Sequence, residues 1–310
     1  MKIVSPVFGP VRSRRLGLSL GVDPLLGPKV CSFDCLYCEI GPTRVHTLER
    51  KVYHPTAEIK KALKERLKDP ELHFEVLTFA GSGEPTLHLE LGELLRFAKD
   101  LTDRPLCLLT NSSLLWREEV RREVLVCDLV LPSLDTAREE TFLKLNRPVP
   151  GLSLEKIIEG LEALRGEFSG EIWLEIMLVA GLNDSPVEVE ALAAAAERIS
   201  PHRIQLNTID RPPAYPEARA LPLERLEEIA GFFRPRAEII SREALKKKGG
   251  ERAPKEEEVL ALLSRRPCPS EEIAQALSCD FRKTLTLLQR LVREGKVKTR
   301  VYERRLYYCL

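Results

Sequence analysis

Cys31-Ser-Phe-Asp-Cys35-Leu-Tyr-Cys38 gathers three of the chain's eight cysteines into one short loop. Thiolates at this spacing can each take one iron of a four-iron cubane and leave the fourth iron without a protein ligand. A zinc ion is the other occupant such a loop could serve, but zinc asks for a fourth donor. His46 and His54 could supply one, yet neither lies at a zinc-finger spacing and no second cysteine pair follows. The other five cysteines are scattered. Cys107 and Cys127 fall inside apolar runs and read as small buried hydrophobes. Cys268, Cys279 and Cys309 are too widely spaced for a second cluster, and core packing is the reading for Cys268 and Cys279.

Outward from the loop, Phe74 to Asn207 alternates apolar, β-prone runs with helix-patterned segments. Strands are expected at Phe74–Phe79, Leu106–Thr110, Cys127–Leu131, Ile172–Val179 and Arg203–Leu206. Amphipathic helices are expected at Ala57–Leu67, Leu89–Lys99, Glu118–Val124, Leu154–Leu164 and Val187–Ile199. Near-continuous apolar strands between helices indicate βαβ units, and hence an α/β fold with a parallel sheet or barrel. Polar and small residues collect just after several strands: Gly81–Thr86, Asn111–Ser113, Ser133–Thr136, Asn183–Ser185 and Asn207–Asp210. In a βα barrel these strand ends would share one mouth; taken singly, each is also an ordinary turn composition.

The cysteine spacing, with an aromatic residue before the last cysteine, resembles the radical S-adenosylmethionine (SAM) superfamily. Gly81-Ser-Gly-Glu84-Pro85 is similar to that superfamily's Gly-Gly-Glu-Pro motif, with Ser82 in place of one glycine. The resemblance implies a partial (β/α)6 barrel, in which Cys31, Cys35 and Cys38 bind a [4Fe–4S] cluster and SAM chelates the open iron. An electron from the cluster then cleaves the sulfonium, yielding a 5′-deoxyadenosyl radical. It implies that Gly81, Ser82, Gly83, Glu84 and Pro85 hold the SAM amino group. Carbonyls and a carboxylate are suitable acceptors for an ammonium, and glycines allow close approach. By the same likeness Tyr37 contacts the adenine through its backbone, Ser133 and Asp135 face the ribose or carboxylate, and Asn111 adds a polar contact. For Asn111 and Ser133, capping of the following helices is the alternative. The implied electron donor is a protein such as flavodoxin or ferredoxin.

A narrower likeness joins Pro6–Gly17, Leu145-Asn-Arg-Pro148 and Gln205–Pro213 to the subgroup of wyosine-type tRNA-modifying proteins. The wyosine-forming members carry a second cysteine triad upstream, whereas here no cysteine precedes Cys31, so that reaction is not expected. The substrate classes considered are tRNA or another nucleic acid, then a protein or peptide. A non-catalytic iron–sulfur redox sensor that binds DNA is the alternative of another kind. Arg12, Arg14, Arg15 and Arg211 are substrate-side candidates, suited to an anionic group or to pairing with surface acids.

With 310 residues, the chain can form one large domain and a small one. Residues 1–245 are read as the core domain, 246–253 as a linker and 254–310 as a second unit. Helical patterns at Glu257–Leu263, Ser270–Leu277 and Phe281–Glu294, then a hairpin pattern at Lys296–Tyr308, predict a winged helix. Its basic residues, among them Arg290, Lys298, Arg300, Arg304 and Arg305, would suit a phosphate backbone; protein docking is the alternative. A net charge of +1 gives no overall attraction to nucleic acid or membrane. There is no signal-peptide pattern and no apolar run long enough to span a bilayer, so a cytoplasmic protein is expected. Its cysteines would then remain reduced.

Overall fold

The computed structural model describes residues 5–240 and 250–310. Residues 246–249 of the expected linker therefore lie outside the described residues. The chain opens with an antiparallel pair, β1 (Val7–Ser13) and β2 (Gly17–Val22), absent from the expected strands. Pro10 and three glycines interrupt the apolar pattern here, which hides the strands from a reading by periodicity. A bulge falls between Phe8 and Val11. Gly21 lets the Phe8 ring lie across β2, since a Cβ there would sit 2.1 Å from the ring.

From β2 the chain enters the cysteine loop, with β3 (Val30–Cys31), β4 (Val45–His46) and then α1 (Thr56–Leu67). β5 (Val76–Phe79), α2 (Leu91–Leu101), β6 (Leu106–Thr110), α3 (Glu118–Val124) and β7 (Leu129–Pro132) follow. α4 (Glu139–Leu145) and α5 (Leu154–Glu167) lead to β8 (Glu171–Leu178) and α6 (Pro186–Ile199). β9 (Arg203–Thr208), α7 (Leu223–Ala230) and β10 (Glu238–Ile239) complete this part. The main sheet runs β1-β2-β5-β6-β7-β8-β9-β10 and is parallel throughout except for β1. Six of its strands, β2 and β5 to β9, are each followed by a helix.

Burial explains the strand sequences. VLTF of β5 and LVLP of β7 are buried at every position, as strands covered on both faces must be. β8 alternates instead: Leu174, Ile176 and Leu178 are buried in the core, while Glu175 and Met177 point to the opposite face. The helices α5 and α6 begin at Ser153 and Ser185, whose side chains accept from Lys156 N and Glu188 N. α4 and α7 were not expected; they span 7 and 8 residues and start without a side-chain cap.

Residues 256–309 form α8 (Glu256–Leu263), α9 (Ser270–Ala276), α10 (Phe281–Arg293) and an antiparallel hairpin of β11 (Lys298–Tyr302) and β12 (Arg305–Cys309). Their core includes Val259, Leu262, Ile273, Leu288 and Leu291, with Cys268 and Cys279 fully buried in it. Cys268 exchanges two backbone hydrogen bonds with Tyr308, at 3.0 and 2.8 Å. Val11 of β1 packs onto this core. Arg265 donates to Ser5 O at 3.0 Å, and Tyr307 Oη donates to Asp210 O at 2.9 Å. The C-terminal unit thus rests on β1 and on the loop that follows β9. Among the described residues no helix is long and apolar enough to cross a membrane.

Candidate cluster and cofactor site

The cysteine loop is tied down on two sides. Val30 N donates to Ser82 O at 3.1 Å and Glu84 N donates to Val30 O at 3.0 Å, which joins it to Gly81–Pro85. On the other side Asp34 N donates to Asn146 O at 3.0 Å and Leu36 N to Leu145 O at 2.9 Å. Cys31 and Cys35 are buried and Cys38 is half-buried. Burial pushes the Cys31 thiol up to about 12 and Cys35 well above its usual value, against the pull of nearby Lys29. A bound cation is what would hold such thiols as thiolates.

Two amides point at the sulfurs. Asn111 Nδ2 lies 3.4 Å from Cys31 Sγ, and Asn146 Nδ2 lies 3.6 Å from Cys35 Sγ. Hydrogen bonds of this kind tune iron–sulfur clusters. Buried Lys29 donates to Gly41 O at 2.8 Å. Burial opposes its charge, but Cys38 and Cys31 outweigh that and raise its pKa.

Among the described residues, no three His, Cys, Asp or Glu groups converge on a point that a single ion could occupy. A cubane needs no such convergence, because each thiolate binds a different iron. The histidines considered for zinc are engaged elsewhere: His46 Nε2 lies 3.1 Å from Ser32 O, and His54 faces Glu58 at 3.5 Å. An all-sulfur donor set with amide donors to two of its sulfurs fits the cluster.

Gly81–Pro85 follows β5. At Gly83 a Cβ would stand 1.7 Å from Val30 O, so only glycine allows the two segments to meet. Ser82 is held against buried Asp23: its N and Oγ donate to Oδ2 at 3.1 and 2.5 Å. Glu84 is committed to the protein. Oε1 accepts from Thr86 N (3.0 Å), Thr86 Oγ1 (2.6 Å) and Thr110 Oγ1 (2.7 Å), and Oε2 accepts from Asn111 N (2.6 Å). Burial raises its pKa, against the lowering effect of these bonds.

Tyr37 Oη donates to Asp135 Oδ2 at 2.5 Å. Asp135 also accepts from Asn146 Nδ2 at 2.7 Å and from Met177 N at 2.9 Å. Burial raises the pKa of Asp135, and burial followed by the Asp135 charge raises that of Tyr37. The N-cap positions of α3 and α4 are Arg117 and Arg138, so Asn111 and Ser133 do not cap these helices.

A cavity of about 260 Å³ is lined by Cys31, Cys35 and Cys38 together with Tyr37, Gly81, Gly83, Glu84, Pro85, Asn111 and Ser133. Ser82 and Asp135, the other expected cofactor residues, lie outside this lining. A second chamber of about 310 Å³ adjoins it and shares Arg15, Ile40, Gly81 and Glu175 with it. Arg12, Arg14 and Arg211 line the chamber, as do Arg265, Arg266 and Glu272 of the C-terminal unit. Most of these arginines pair with acids. Arg14 pairs with Asp210 and Arg15 with Glu175; Arg211 pairs with Glu39 at 2.6 Å and with Glu272. Arg266 lies 3.3 Å from Glu272. Arg12 has no ion pair among the described residues.

Lys29, Asn146, Glu175 and Arg265 were not identified from sequence. Asn146 sits in the Leu145–Pro148 segment that carried the subgroup likeness, but nothing in that segment tells of a sulfur 111 positions earlier. The other three carry no spacing signal.

A parallel sheet with a three-cysteine loop after β2 and a glycine-rich turn after β5 defines an iron–sulfur protein of the radical SAM class. A family model for the Radical SAM superfamily matches residues 27–194, and the chain belongs to that superfamily. The superfamily binds a [4Fe–4S] cluster and SAM, and its members are generally enzymes that need an electron donor.

The chain is 36% identical over 307 residues to "GTPase Obg" of Brachyspira hyodysenteriae, covering 98% of this chain and 45% of that protein. It therefore spans less than half the length of that relative. It is 33% identical over 309 residues to "UPF0026 protein MJ1312" of Methanocaldococcus jannaschii, covering 97% of this chain and 94% of that one. Among solved structures, a radical SAM methyltransferase from Sphaerobacter thermophilus aligns with a TM-score of 0.52 at 19% identity. That alignment covers 71% of this chain and 65% of the methyltransferase, a likeness of fold alone.

Proposed function

We propose that this chain is a radical SAM enzyme that cleaves SAM reductively and abstracts hydrogen from a substrate held beside the cofactor. The observation that carries the reading is the single cavity in which the three cysteines meet Gly81–Pro85, Asn111 and Ser133. Cys31, Cys35 and Cys38 would hold the cluster, which with SAM supplies the 5′-deoxyadenosyl radical. Because Glu84 accepts four hydrogen bonds from the protein and Ser82 O accepts from Val30 N, the backbone carbonyls of Gly81 and Gly83 are the acceptors for the SAM ammonium. Tyr37 lies beside the adenine, and Asn111 and Ser133 face the ribose or carboxylate. Glu84 and Asp135 act through others: the first fixes residues 110–111, the second fixes Tyr37. The six strand–helix pairs are read as the partial (β/α)6 barrel, and 254–310 as a winged helix. A flavodoxin or ferredoxin would deliver the electron.

A nucleic acid such as tRNA is a second reading of the substrate, favoured by Lys298, Arg300, Arg304 and Arg305, all exposed on the hairpin. The primary test is anaerobic reconstitution with iron and sulfide, then dithionite and SAM, assayed for 5′-deoxyadenosine. Product is expected from the wild type and is expected to be lost in Cys35→Ala, which removes one cluster ligand. A cluster that forms while SAM neither binds nor breaks would overturn the enzyme reading.

A further inference from the structure

We propose that the chamber beside the cofactor cavity binds a small molecule bearing a phosphate or carboxylate group, with Arg265 as the anchor and Arg12 and Arg211 beside it. Naming this ligand the substrate rests on the radical SAM reading; the anion site itself does not.

The size and charge of the chamber come first. At about 310 Å³ it is of small-ligand dimensions. Its wall carries six arginines against three glutamates. Arg265 is the more deeply buried of the two arginines here that make no ion pair among the described residues, the other being Arg12. It is 8% exposed, and no carboxylate lies within ion-pair reach of it among the described residues. Its guanidinium donates to Ala261 O at 2.7 Å, to Ser264 Oγ at 3.2 Å and to Ser5 O at 3.0 Å, while Nε has no partner. The Phe8 ring covers its face at 3.9 Å. Burial pushes its pKa down to about 10, with only Asp23 acting the other way. A buried charge without a counter-charge is costly, and an arriving anion relieves that cost. Arg211, 7% exposed, and Arg266 also carry Nε groups without partners. A planar guanidinium matches the paired oxygens of phosphate or carboxylate.

The setting favours a small molecule over a polynucleotide. The C-terminal unit already covers this side of the sheet through Val11, the Arg211–Glu272 pair and the Tyr307–Asp210 contact. A nucleic acid strand would have to displace these contacts, whereas a small anion can meet Arg265 and Arg12, neither of which holds an ion pair among the described residues. Arg15, Gly81 and Glu175 belong to both cavities. A ligand anchored at Arg265 therefore extends its other end toward the cofactor.

The test uses the full, cluster-reconstituted chain, titrated with inorganic phosphate and separately with malonate against chloride at equal ionic strength. Saturable binding of at least one probe beyond chloride is expected, and the stronger probe tells phosphate from carboxylate. Arg265→Met should weaken that binding tenfold or more, and Arg12→Met about threefold. Melting temperature and iron content confirm that each variant is folded; Arg12→Met decides the matter if Arg265→Met does not fold. No preference over chloride, or binding unchanged in the folded variants, overturns the proposal. 5′-Deoxyadenosine is measured on the same preparations. If phosphate binds while SAM stays intact, the radical SAM reading fails and the anion site stands; SAM cleavage without anion binding has the reverse meaning.

Discussion

The wall that carries the cysteines and the wall that carries the arginines are built on opposite plans. On the cysteine wall the buried polar groups are mutually satisfied: Glu84 accepts four hydrogen bonds and Asp135 three. Asn111 and Asn146 each divide their donors between a sulfur and an oxygen. On the arginine wall, Arg211, Arg265 and Arg266 keep Nε groups without partners in spite of five ion pairs nearby. A wall complete in itself is pre-organised for one invariable ligand, here the cofactors shared by the superfamily. A wall with positive charge left over is completed by something outside the chain, and it is the wall to which the C-terminal unit contributes.

The comparison can be broken most sharply at Glu272. Burial works to raise its pKa, but Arg211, Arg266 and Arg14 pull it down to about 2, from a usual 4.5. Because the folded value lies below the unfolded one, Glu272 adds stability that is present above pH 4.5 and lost as the pH falls toward 2. The contribution at neutral pH is on the order of 3 kcal/mol. Acid unfolding followed by circular dichroism should show this loss in the wild type, and Glu272→Gln should lack it. Identical acid profiles would mean that the arginine wall does not depend on this carboxylate.

Glu84→Gln probes the opposite wall. Either orientation of the amide sets its NH2 against a backbone N–H, of Thr86 or of Asn111, so stability should drop by about 1–3 kcal/mol and SAM binding should weaken with it. Denaturant melts and SAM titration would read both effects. A neutral outcome would show that the cysteine wall is looser than its hydrogen bonds suggest.

The smallest expected effect is at Lys29, a buried cation beside the cysteines. Positive charge favours the reduced, more negative cluster. Lys29→Met should therefore lower the reduction potential, by on the order of 50 mV, in an anaerobic redox titration followed by EPR. An unchanged potential would remove Lys29 from the set of groups that tune the cluster.

Much of the cysteine wall was legible in the sequence because its chemistry is local. Three thiols in one turn, and glycines where two backbones touch, leave marks a few residues long. The central strands were legible for a similar reason: LCLLT and VLTF are apolar but for one threonine each. β2 was missed because Gly17 and Gly21 break its pattern, although Gly21 is what admits the Phe8 ring. Strand β7 begins at Leu129 rather than Cys127, because Cys127 N still bonds to Val124 O in the turn after α3. The short helices α4 and α7 lack the side-chain caps that would have announced them. The sequence offered Glu84 as a carboxylate suited to an ammonium, but gave no sign that it also accepts from Thr86, Thr110 and Asn111, because two of these partners lie 26 and 27 positions away.

Sequence alone was enough for the clustering of three cysteines, the parallel α/β plan and the membership of a cofactor class. Each of these follows from residue type and short-range spacing. Only the tertiary structure decided which charges are compensated. Arg211 reaches Glu39 across 172 positions and Glu272 across 61, and Arg265 reaches Ser5 across 260. No periodicity links such partners, because their meeting depends on how the C-terminal unit settles on β1. That docking is what leaves Arg265 buried without a counter-charge.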